Sequence, residues 1–313
     1  MGMSDLYGPA DDQESVRTIQ AALDTGITLL DTGDYYGMGH NELLIREALR
    51  GRKREGIVIS VKFGAMRDVK GNWLGVDGRP EAVKNFCGYS LRRLGTEYID
   101  IYRLGRVNPQ IPIEDTVGAI AEMITAGYVR HVGLSEAGEQ TIRRAHAIHP
   151  ISDVQMEYSL ISRGVEDAIL PACRELGISV TAYGVLSRGL LSGHWSKDRQ
   201  TAPNDFRAHN PRFQGDNLDR NLALVETLRH IAQAKGATVA QTAIAWVLSR
   251  GEDIVPLIGA RRREQLNEAL PSLALSLSAS DLGDIERAIP KDAAAGQRYA
   301  PQVMAHLDSE RKS

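Results

Sequence analysis

The sequence predicts an α/β fold, a (β/α)8 barrel, and three observations carry this prediction. Short runs of Val, Ile and Leu alternate with amphipathic helical patterns, which is typical of a parallel sheet covered by helices. At 313 residues and 42% hydrophobic, the chain can form one large barrel or two domains, and we favour a single domain over residues 1–313. Polar residues recur at or near the ends of five strands, the rim where such barrels form active sites. They are Asp31, Lys62, Ser135, Gln155 and Tyr183.

The helices are predicted from apolar residues at helical spacing and from start and stop signals. Asp11 and Glu14 have the spacing of a capping box at the start of the first helix, and Gly26 ends that helix. Pro80 and Gly95 bound the third helix, as these residue types commonly do. The predicted helices cover residues 12–25, 41–51, 80–95, 113–126, 141–148, 165–176, 218–235 and 238–249.

Seven strands are predicted from the short apolar runs between the helices. They cover residues 27–31, 56–62, 98–103, 129–135, 153–157, 178–183 and 253–259. A closed barrel of this type needs eight, and the chain begins too late to supply another strand before the first helix. A doubly wound dinucleotide-binding sheet is the competing fold. It is disfavoured because the glycines of DTGDYYGMGHNE (31–42) lack the GxGxxG spacing.

Catalytic chemistry is predicted from an aspartate, a lysine and a tyrosine. One predicted strand ends at Asp31, and Tyr36 follows in a glycine-rich loop. The next strand ends on Lys62, and an unpaired buried ammonium would cost several kcal/mol, so we expect Asp31 and Lys62 to be partners. A neighbouring cation should lower the pKa of the Tyr36 phenol from about 10 and make it a proton donor near neutral pH.

Composition disfavours several other classes of function. The net charge of −3 and the pI near 6.3 give no basic surface for nucleic acid. No run approaches the ~18 apolar residues of a membrane span, and residues 1–15 carry acids where a signal peptide needs a basic start. Cys87 and Cys173 have no metal-binding spacing and are expected to be reduced core thiols. We expect a cytoplasmic protein; its oligomeric state is not indicated.

Several segments, taken in order, resemble the aldo-keto reductase family. DTGDYYGMGHNE (31–42) resembles the family signature, in which an aspartate precedes a tyrosine by five residues, and ISVKFG (59–64) looks like its lysine motif. Four later segments are similar to the family's cofactor-binding segments: VGLS (132–135), VQMEYS (154–159), AYGVLSRGLLSG (182–193) and IGARRREQLNEAL (258–270). The resemblance covers nearly the whole chain. It implies a barrel that binds an extended NADP(H) across its C-terminal rim and reduces carbonyl groups by hydride transfer.

The resemblance also implies a role for each site residue. Tyr36 would be the general acid, Lys62 its neighbour, and Asp31 the partner that keeps Lys62 charged. Ser135 and Gln155 would hold the nicotinamide carboxamide, and Tyr183 would stack on the ring. The residues expected along the pyrophosphate and the adenosine end are Leu186, Arg188, Gly189, Gly259, Arg261, Gln265 and Glu268.

Two segments that contain arginines are candidates for contacts with the phosphates of the cofactor. Arg261 stands where a side chain can meet a 2′-phosphate, and the cluster Arg261–Arg263 at a helix start suits such a dianion, which favours NADPH over NADH. The alternative for this cluster is a solvated helix start. Arg212 lies in the long loop 201–214, which is either a lid over the cofactor, with Arg212 on a phosphate, or a surface loop.

The sequence departs from the family pattern at four places. Gly105 stands where the family usually has a catalytic histidine, and losing such a donor typically costs about 10² to 10³ in rate. Three explanations remain: a slow enzyme, a contact supplied by the substrate or by Arg106, or a vacated volume for a bulkier substrate. Glu136 and Ala269 each replace a common asparagine. The family's N-terminal hairpin and first barrel strand are expected to be missing through a misplaced or truncated start, leaving a gap with exposed strand edges.

Two further functions stay open beside a reductase of aldehydes or ketones. One is a nucleotide-binding regulatory subunit with little turnover, because the potassium-channel β subunits resemble this family and also depart from it at the histidine position. The other is an inactive, truncated reductase. Retention of Asp31, Tyr36 and Lys62 favours the enzyme. Arg103 and Arg106 indicate that the small-molecule carbonyl substrate is anionic or phosphorylated.

Overall fold

The structure is a computed structural model that describes residues 1–202 and 205–311. Its centre is a parallel sheet of seven strands, and a separate antiparallel hairpin of two strands lies beside it. In chain order the strands are β1 Leu29–Gly33, β2 Val58–Phe63, β3 Ala65–Arg67, β4 Trp73–Val76, β5 Ile99–Leu104, β6 Val129–Ser135, β7 Ile151–Glu157, β8 Ser179–Tyr183 and β9 Ile254–Pro256. The seven strands of the main sheet are those predicted from the sequence, with bounds shifted by up to three residues.

The strand order identifies the type of sheet. The strands of the main sheet lie in the order β1-β2-β5-β6-β7-β8-β9, and every neighbouring pair is parallel. A doubly wound sheet reverses its strand order at one point, and this one does not, so the competing fold is wrong and the barrel class is confirmed. Within the described ranges β1 and β9 do not pair with each other, so the expected gap between the first and last strands is present.

The helices cover the outer face of this sheet. They are α1 Asp12–Asp24, α2 His40–Ala48, α3 Pro80–Leu94, α4 Ile113–Thr125, α5 Glu139–Ile148, α6 Ile169–Glu175, α7 Gly215–Ala234, α8 Val239–Leu248, α9 Arg263–Ala269, α10 Ala279–Ala288 and α11 Pro301–Met304. The predicted helix 165–176 is shorter than expected because Pro171 is tolerated only in a first turn, so the α-helix begins at Ile169. None of the described helices is long and apolar enough to cross a membrane.

The register of the sheet brings polar side chains to one interior face. Lys62 lies opposite Arg103, and Ser135 lies opposite Gln155, so these side chains point to the same side of the sheet. The alternate residues, such as Val61 and Tyr102, are fully buried against the helices. Cys87 and Cys173 are buried free thiols, as predicted.

The N-terminal segment, residues 1–11, forms neither a helix nor a strand. Its Ser4 Oγ accepts a hydrogen bond from Asn41 Nδ2 at 2.9 Å, beside the start of α2. Farther along, the Leu6 carbonyl accepts from the backbone N–H of Phe206 at 2.9 Å. The segment therefore borders the rim where the sequence places the candidate site.

Candidate active site

The predicted partnership of Asp31 and Lys62 is confirmed. Lys62 is 2% exposed, and its Nζ donates a hydrogen bond to Asp31 Oδ2. Burial alone would raise the pKa of the Asp31 carboxyl, but Lys62 and Arg103 hold this pKa below its ordinary value. Lys62 Nζ also lies 5.0 Å from the centroid of the Tyr36 ring. The structure thus brings together the three residues that the sequence predicted to be catalytic.

Arg103 belongs beneath the site, so the prediction that it binds an anionic substrate is wrong. Its side chain is completely buried; Nη1 donates to Asp31 Oδ1 at 2.9 Å and Nε donates to Asp153 Oδ1 at 2.9 Å. Nη1 also donates to Ser60 Oγ. A side chain at Gly133 would crowd this guanidinium, since a Cβ there would lie 3.2 Å from Arg103 Nε. Arg103 therefore balances two carboxylates inside the sheet.

The expected lowering of the Tyr36 pKa is also wrong. Burial of the phenol raises the pKa of Tyr36 well above its ordinary value, and the charge of Asp31 raises it further. The Arg106 cation and the Tyr35 hydroxyl act in the opposite direction. The physical reason is that the charge of Lys62 is compensated by Asp31, so burial dominates. Tyr36 therefore keeps its proton at neutral pH.

Tyr35 and Arg106 surround the position of Gly105. A Cβ on Gly105 would lie 3.3 Å from the Tyr35 hydroxyl and 3.0 Å from the Phe63 carbonyl oxygen. The Tyr35 ring packs edge-on against the ring of Tyr36, with centroids 4.9 Å apart. The volume beside Gly105 is thus occupied by Tyr35, which argues against the explanation that a bulkier substrate fills it.

The residues expected at the nicotinamide end lie together on the rim. Ser135 is buried, and its Oγ accepts a hydrogen bond from Arg106 Nη1 at 3.3 Å. Gln155 Nε2 donates to Asp31 Oδ1 at 2.9 Å, so this amide helps to hold the Asp31 carboxylate in its position beside Lys62. The Tyr183 hydroxyl donates to Glu136 Oε1 at 2.8 Å. The side chain of Tyr183 is therefore fixed at its tip, with its ring on the rim.

Glu136, the residue that replaces an asparagine, is bound by the C-terminal segment. Its carboxylate accepts hydrogen bonds from Arg298 Nη1 at 3.0 Å and from Ser309 Oγ at 2.7 Å. Burial alone would raise the pKa of Glu136, but Arg298 holds it at about 2. Tyr299, next to Arg298, places its hydroxyl 2.9 Å from that of Tyr183. Glu136 thus connects the C-terminal rim of the sheet to the segment that contains Arg298 and Ser309.

The loop predicted to follow the pyrophosphate has an unusual backbone. Leu186 precedes three residues with positive φ, which are 44° at Ser187, 58° at Arg188 and 96° at Gly189. Arg188 Nη2 forms an ion pair with Glu157 Oε2 at 2.9 Å. The Ser187 hydroxyl is buried and has no hydrogen-bond partner among residues 1–202 and 205–311. This loop therefore holds a polar atom without a protein partner.

Arg212 is built into the long loop rather than exposed above it. Its guanidinium donates to Ser162 Oγ and to the Ile161 carbonyl, both at 2.7 Å, and lies 3.6 Å from Glu157. Arg212 is 5% exposed, so it anchors the loop to the barrel. Residues 203 and 204 of this loop lie outside the described residues.

At the predicted adenosine end, Arg261 and Arg263 have different partners. Arg261 Nη1 donates to the Tyr7 carbonyl at 2.8 Å, whereas Arg263 forms an ion pair with Glu14 at 3.0 Å. Within the described part of the chain, no carboxylate forms an ion pair with Arg261. Gln265 Oε1 accepts from the Arg261 backbone N–H at 2.8 Å. Glu268 lies 2.9 Å from His194, and Gly259 is exposed.

Comparisons with known proteins agree with this geometry. The model of the aldo/keto reductase family matches residues 1–290. The chain belongs to the aldo/keto reductase family. It is 43% identical over 304 residues to a protein named probable aldo-keto reductase 1 from Glycine max, covering 96% of this chain and 86% of that protein. Membership of this family confirms the general activity, that of an oxidoreductase that reduces carbonyl groups.

Solved structures give the same family. The structure of a glycerol dehydrogenase from Gluconobacter oxydans has a TM-score of 0.83 and 31% identity, covering 92% of this chain and 90% of that one. An aldo-keto reductase from Klebsiella pneumoniae in complex with NADPH has a TM-score of 0.72 and 26% identity, covering 91% of this chain and 89% of that one.

Several residues of this aldo/keto reductase site were not predicted from the sequence. They are Tyr7, Tyr35, Glu157, Arg298 and Tyr299. Tyr7 and Tyr299 lie near Arg188, which lies 4.6 Å from the Tyr299 ring. Burial raises the pKa of Tyr7 to about 12. Two of them had a sequence signal: Tyr35 precedes Tyr36 in the glycine-rich loop, and Glu157 lies in the VQMEYS segment; the others depend on tertiary contacts.

Proposed function

We propose that the protein reduces an aldehyde or ketone to an alcohol with NADPH, with Tyr36 as the general acid. The observation that carries the proposal is the buried Asp31–Lys62 ion pair beside the Tyr36 ring. A buried ion pair contributes little net stability, so its position at a rim phenol is better explained by chemistry than by folding.

The residues on the rim fit this cofactor. Ser187 Oγ, which lacks a partner within the described ranges, lies in the loop that would follow the pyrophosphate. Arg261 has no carboxylate partner there and could meet a 2′-phosphate by two parallel N–H donors. Ser135 and Gln155 would hold the carboxamide, with Tyr183 against the ring. The NADPH complex of the Klebsiella relative supports the same choice.

NADPH, when bound, supplies the hydride. The chain supplies the proton: Tyr36 donates its phenolic hydrogen to the carbonyl oxygen as negative charge develops there. Because burial keeps this phenol protonated, the proton is available over a wide pH range. Lys62, 5.0 Å from the ring centroid, is placed to stabilise the phenolate that remains. Asp31 and Gln155 fix the lysine and its partner in place.

The proposal is tested by the loss of NADPH absorbance with a panel of aldehydes. We expect Tyr36→Phe to lower kcat/KM by at least ~10², the usual contribution of a general acid. Tyr89→Phe is the matched control, because Tyr89 is 55% exposed on α3 and should retain full activity. A Tyr36→Phe variant as fast as the wild type would rule the mechanism out.

A regulatory subunit that binds nucleotide with little turnover is a second candidate, and Gly105 favours it. Position 105 is a glycine, so it supplies no histidine donor, and Tyr35 fills the space beside it. The two functions are separated by measuring NADPH binding by fluorescence beside turnover. Tight binding without turnover of any aldehyde or ketone would favour the regulatory protein.

A further inference from the structure

Arg106 places a cation inside the candidate site. It follows β5 and Gly105, and its Nη1 donates to the Gly105 carbonyl at 2.6 Å and to Ser135 Oγ at 3.3 Å. These two contacts turn the side chain back toward the rim, between the predicted nicotinamide end and the phenols of Tyr35 and Tyr36. Burial raises the pKa of both phenols, and the charge of Arg106 acts against that rise, which agrees with this placement.

Among the described residues, no carboxylate lies within ion-pair distance of Arg106, and the charge of Glu136 acts on it only from farther away. Neighbouring rim arginines are paired: Arg188 with Glu157 at 2.9 Å, and Arg298 with Glu136. Glu136 also accepts hydrogen bonds from Tyr183 and from Ser309, so its carboxylate is already committed. The guanidinium of Arg106 therefore lacks a direct ion pair, which leaves it free to bind an anion supplied by a ligand.

The free edge of the guanidinium has the geometry of an anion site. Only Nη1 of Arg106 has acceptors among the described residues; Nε and Nη2 have none. These two atoms present parallel N–H donors, the arrangement that binds two oxygens of a carboxylate or phosphate.

The cofactor does not account for this charge. The reduced nicotinamide ring is neutral, and the phosphates of the cofactor belong to the loop around Arg188 and to Arg261, at the other segments of the rim. Tyr35 bounds the space on one side, and Trp73 packs edge-on against it with centroids 5.6 Å apart. An anion bound by Arg106 beside Tyr36 would then come from the substrate.

We propose that Arg106 binds the anionic group of the substrate, and that preferred substrates are small aldehydes or ketones that carry a carboxylate or phosphate near the carbonyl. This inference rests on the proposed function, because it needs the carbonyl to lie at Tyr36. Arg106 is thus a specificity-determining residue that contacts the substrate through Nε and Nη2.

The test compares substrates matched in size that differ in charge. We would measure kcat/KM at saturating NADPH for 4-oxobutanoate against butanal, and for glyceraldehyde 3-phosphate against glyceraldehyde. We expect the wild type to prefer one anionic member at least tenfold, and the pair that shows the preference identifies carboxylate or phosphate. Arg106→Met should lower this ratio at least tenfold, to near 1, mainly through KM for the anion, and Arg106→Lys should restore part of it.

Two controls keep the result interpretable. Arg50→Met removes a guanidinium whose side chain is 79% exposed and should leave both rates unchanged. Raising the salt concentration should increase KM for the anion but not for the neutral substrate, a readout that needs no variant. Equal rates of the wild type on charged and neutral substrates, or equal losses on both in Arg106→Met, would overturn the inference and leave the proposed function standing. Turnover of no carbonyl compound would instead remove the proposed function and this inference with it.

Discussion

The hydroxyl of Tyr35 lies 3.3 Å from the point that a Cβ on Gly105 would occupy. The absence of a side chain at one position is thus coupled to a large side chain at the other. The Phe63 carbonyl oxygen closes the same space at 3.0 Å. A side chain at position 105 would require both groups to shift by a few tenths of an ångström, so Gly105 and Tyr35 form a matched pair.

Gly105→Ala is therefore expected to destabilise the fold. The added methyl would press on a backbone carbonyl that cannot move cheaply, and overpacking of this kind costs about 1–3 kcal/mol. Urea unfolding measures the loss. Gly88→Ala on α3 is the matched control, because a Cβ there meets nothing within 4 Å; it should gain about 0.5–1 kcal/mol as a helical Gly→Ala change. Equal midpoints for Gly105→Ala and wild type would contradict the pairing.

The charges beneath the site should be strongly interdependent. Arg103→Met leaves the buried carboxylate of Asp153 without a counterion and Asp31 with Lys62 alone, and we expect a loss of about 3–5 kcal/mol. Adding Asp153→Asn should recover part of this loss, because it removes one of the unpaired charges. The unfolding free energies of both single variants and the double variant, measured by urea at pH 7, check this. Additive effects would show that the network is not coupled.

The ion pair of Glu136 with Arg298 should appear in acid unfolding. Burial opposes ionisation of this carboxyl, yet Arg298 and the other donors lower its pKa from 4.5 to about 2. A lowered folded-state pKa gives stability that is present above about pH 4.5 and is lost as the pH falls through 2, about 3 kcal/mol for this shift. Arg298→Met should be less stable at pH 7, with the difference from wild type shrinking toward pH 2. Parallel curves of unfolding free energy against pH would exclude this role.

Asp34 should give the opposite pH dependence. Burial, and then the charge of Glu42, raise the pKa of Asp34 from 3.8 to about 8, and its Oδ1 has no hydrogen-bond partner among the described residues. The folded state then holds a proton that the unfolded state releases, so stability falls as the pH rises from 3.8 to 8, by up to about 1.4 kcal/mol per unit. Asp34→Asn should flatten this slope and be the more stable protein at pH 9.

The companion variant Glu42→Gln separates burial from charge repulsion in this carboxyl pair. It removes the charge that raises the Asp34 pKa, so the decline in stability should end at a lower pH than in the wild type. Thermal melts between pH 4 and pH 9 follow both variants. If stability changed with pH in Asp34→Asn and Glu42→Gln as it does in the wild type, Asp34 would be ionised in the folded protein at neutral pH.

Strands and nearby charge partners are predicted from the sequence. Contacts made by side chains on the inward face of the sheet are not. The seven main strands follow from apolar runs, and the partnership of Asp31 with Lys62 follows from the cost of burying either alone. Arg103 was misplaced because an apolar strand pattern does not reveal which alternate residues point into the barrel. Arg298 could not be predicted at the site, because it meets Glu136 across 162 positions of the chain.

The cluster at residues 261–263 gives a prediction about the choice of cofactor. Arg263 is already paired with Glu14, whereas the Arg261 side chain donates, among the described residues, only to carbonyl oxygens of the N-terminal segment, which a phosphate would outcompete. Arg261→Gln should therefore raise the Kd for NADPH about 10- to 100-fold, the effect of losing a charged hydrogen bond, and leave the Kd for NADH unchanged. Arg263→Gln serves as the control and should change neither constant, as measured by fluorescence titration. If Arg263→Gln weakened NADPH and Arg261→Gln did not, the 2′-phosphate would lie on the α9 side of the cluster, and Arg261 would serve only to hold the N-terminal segment against the rim.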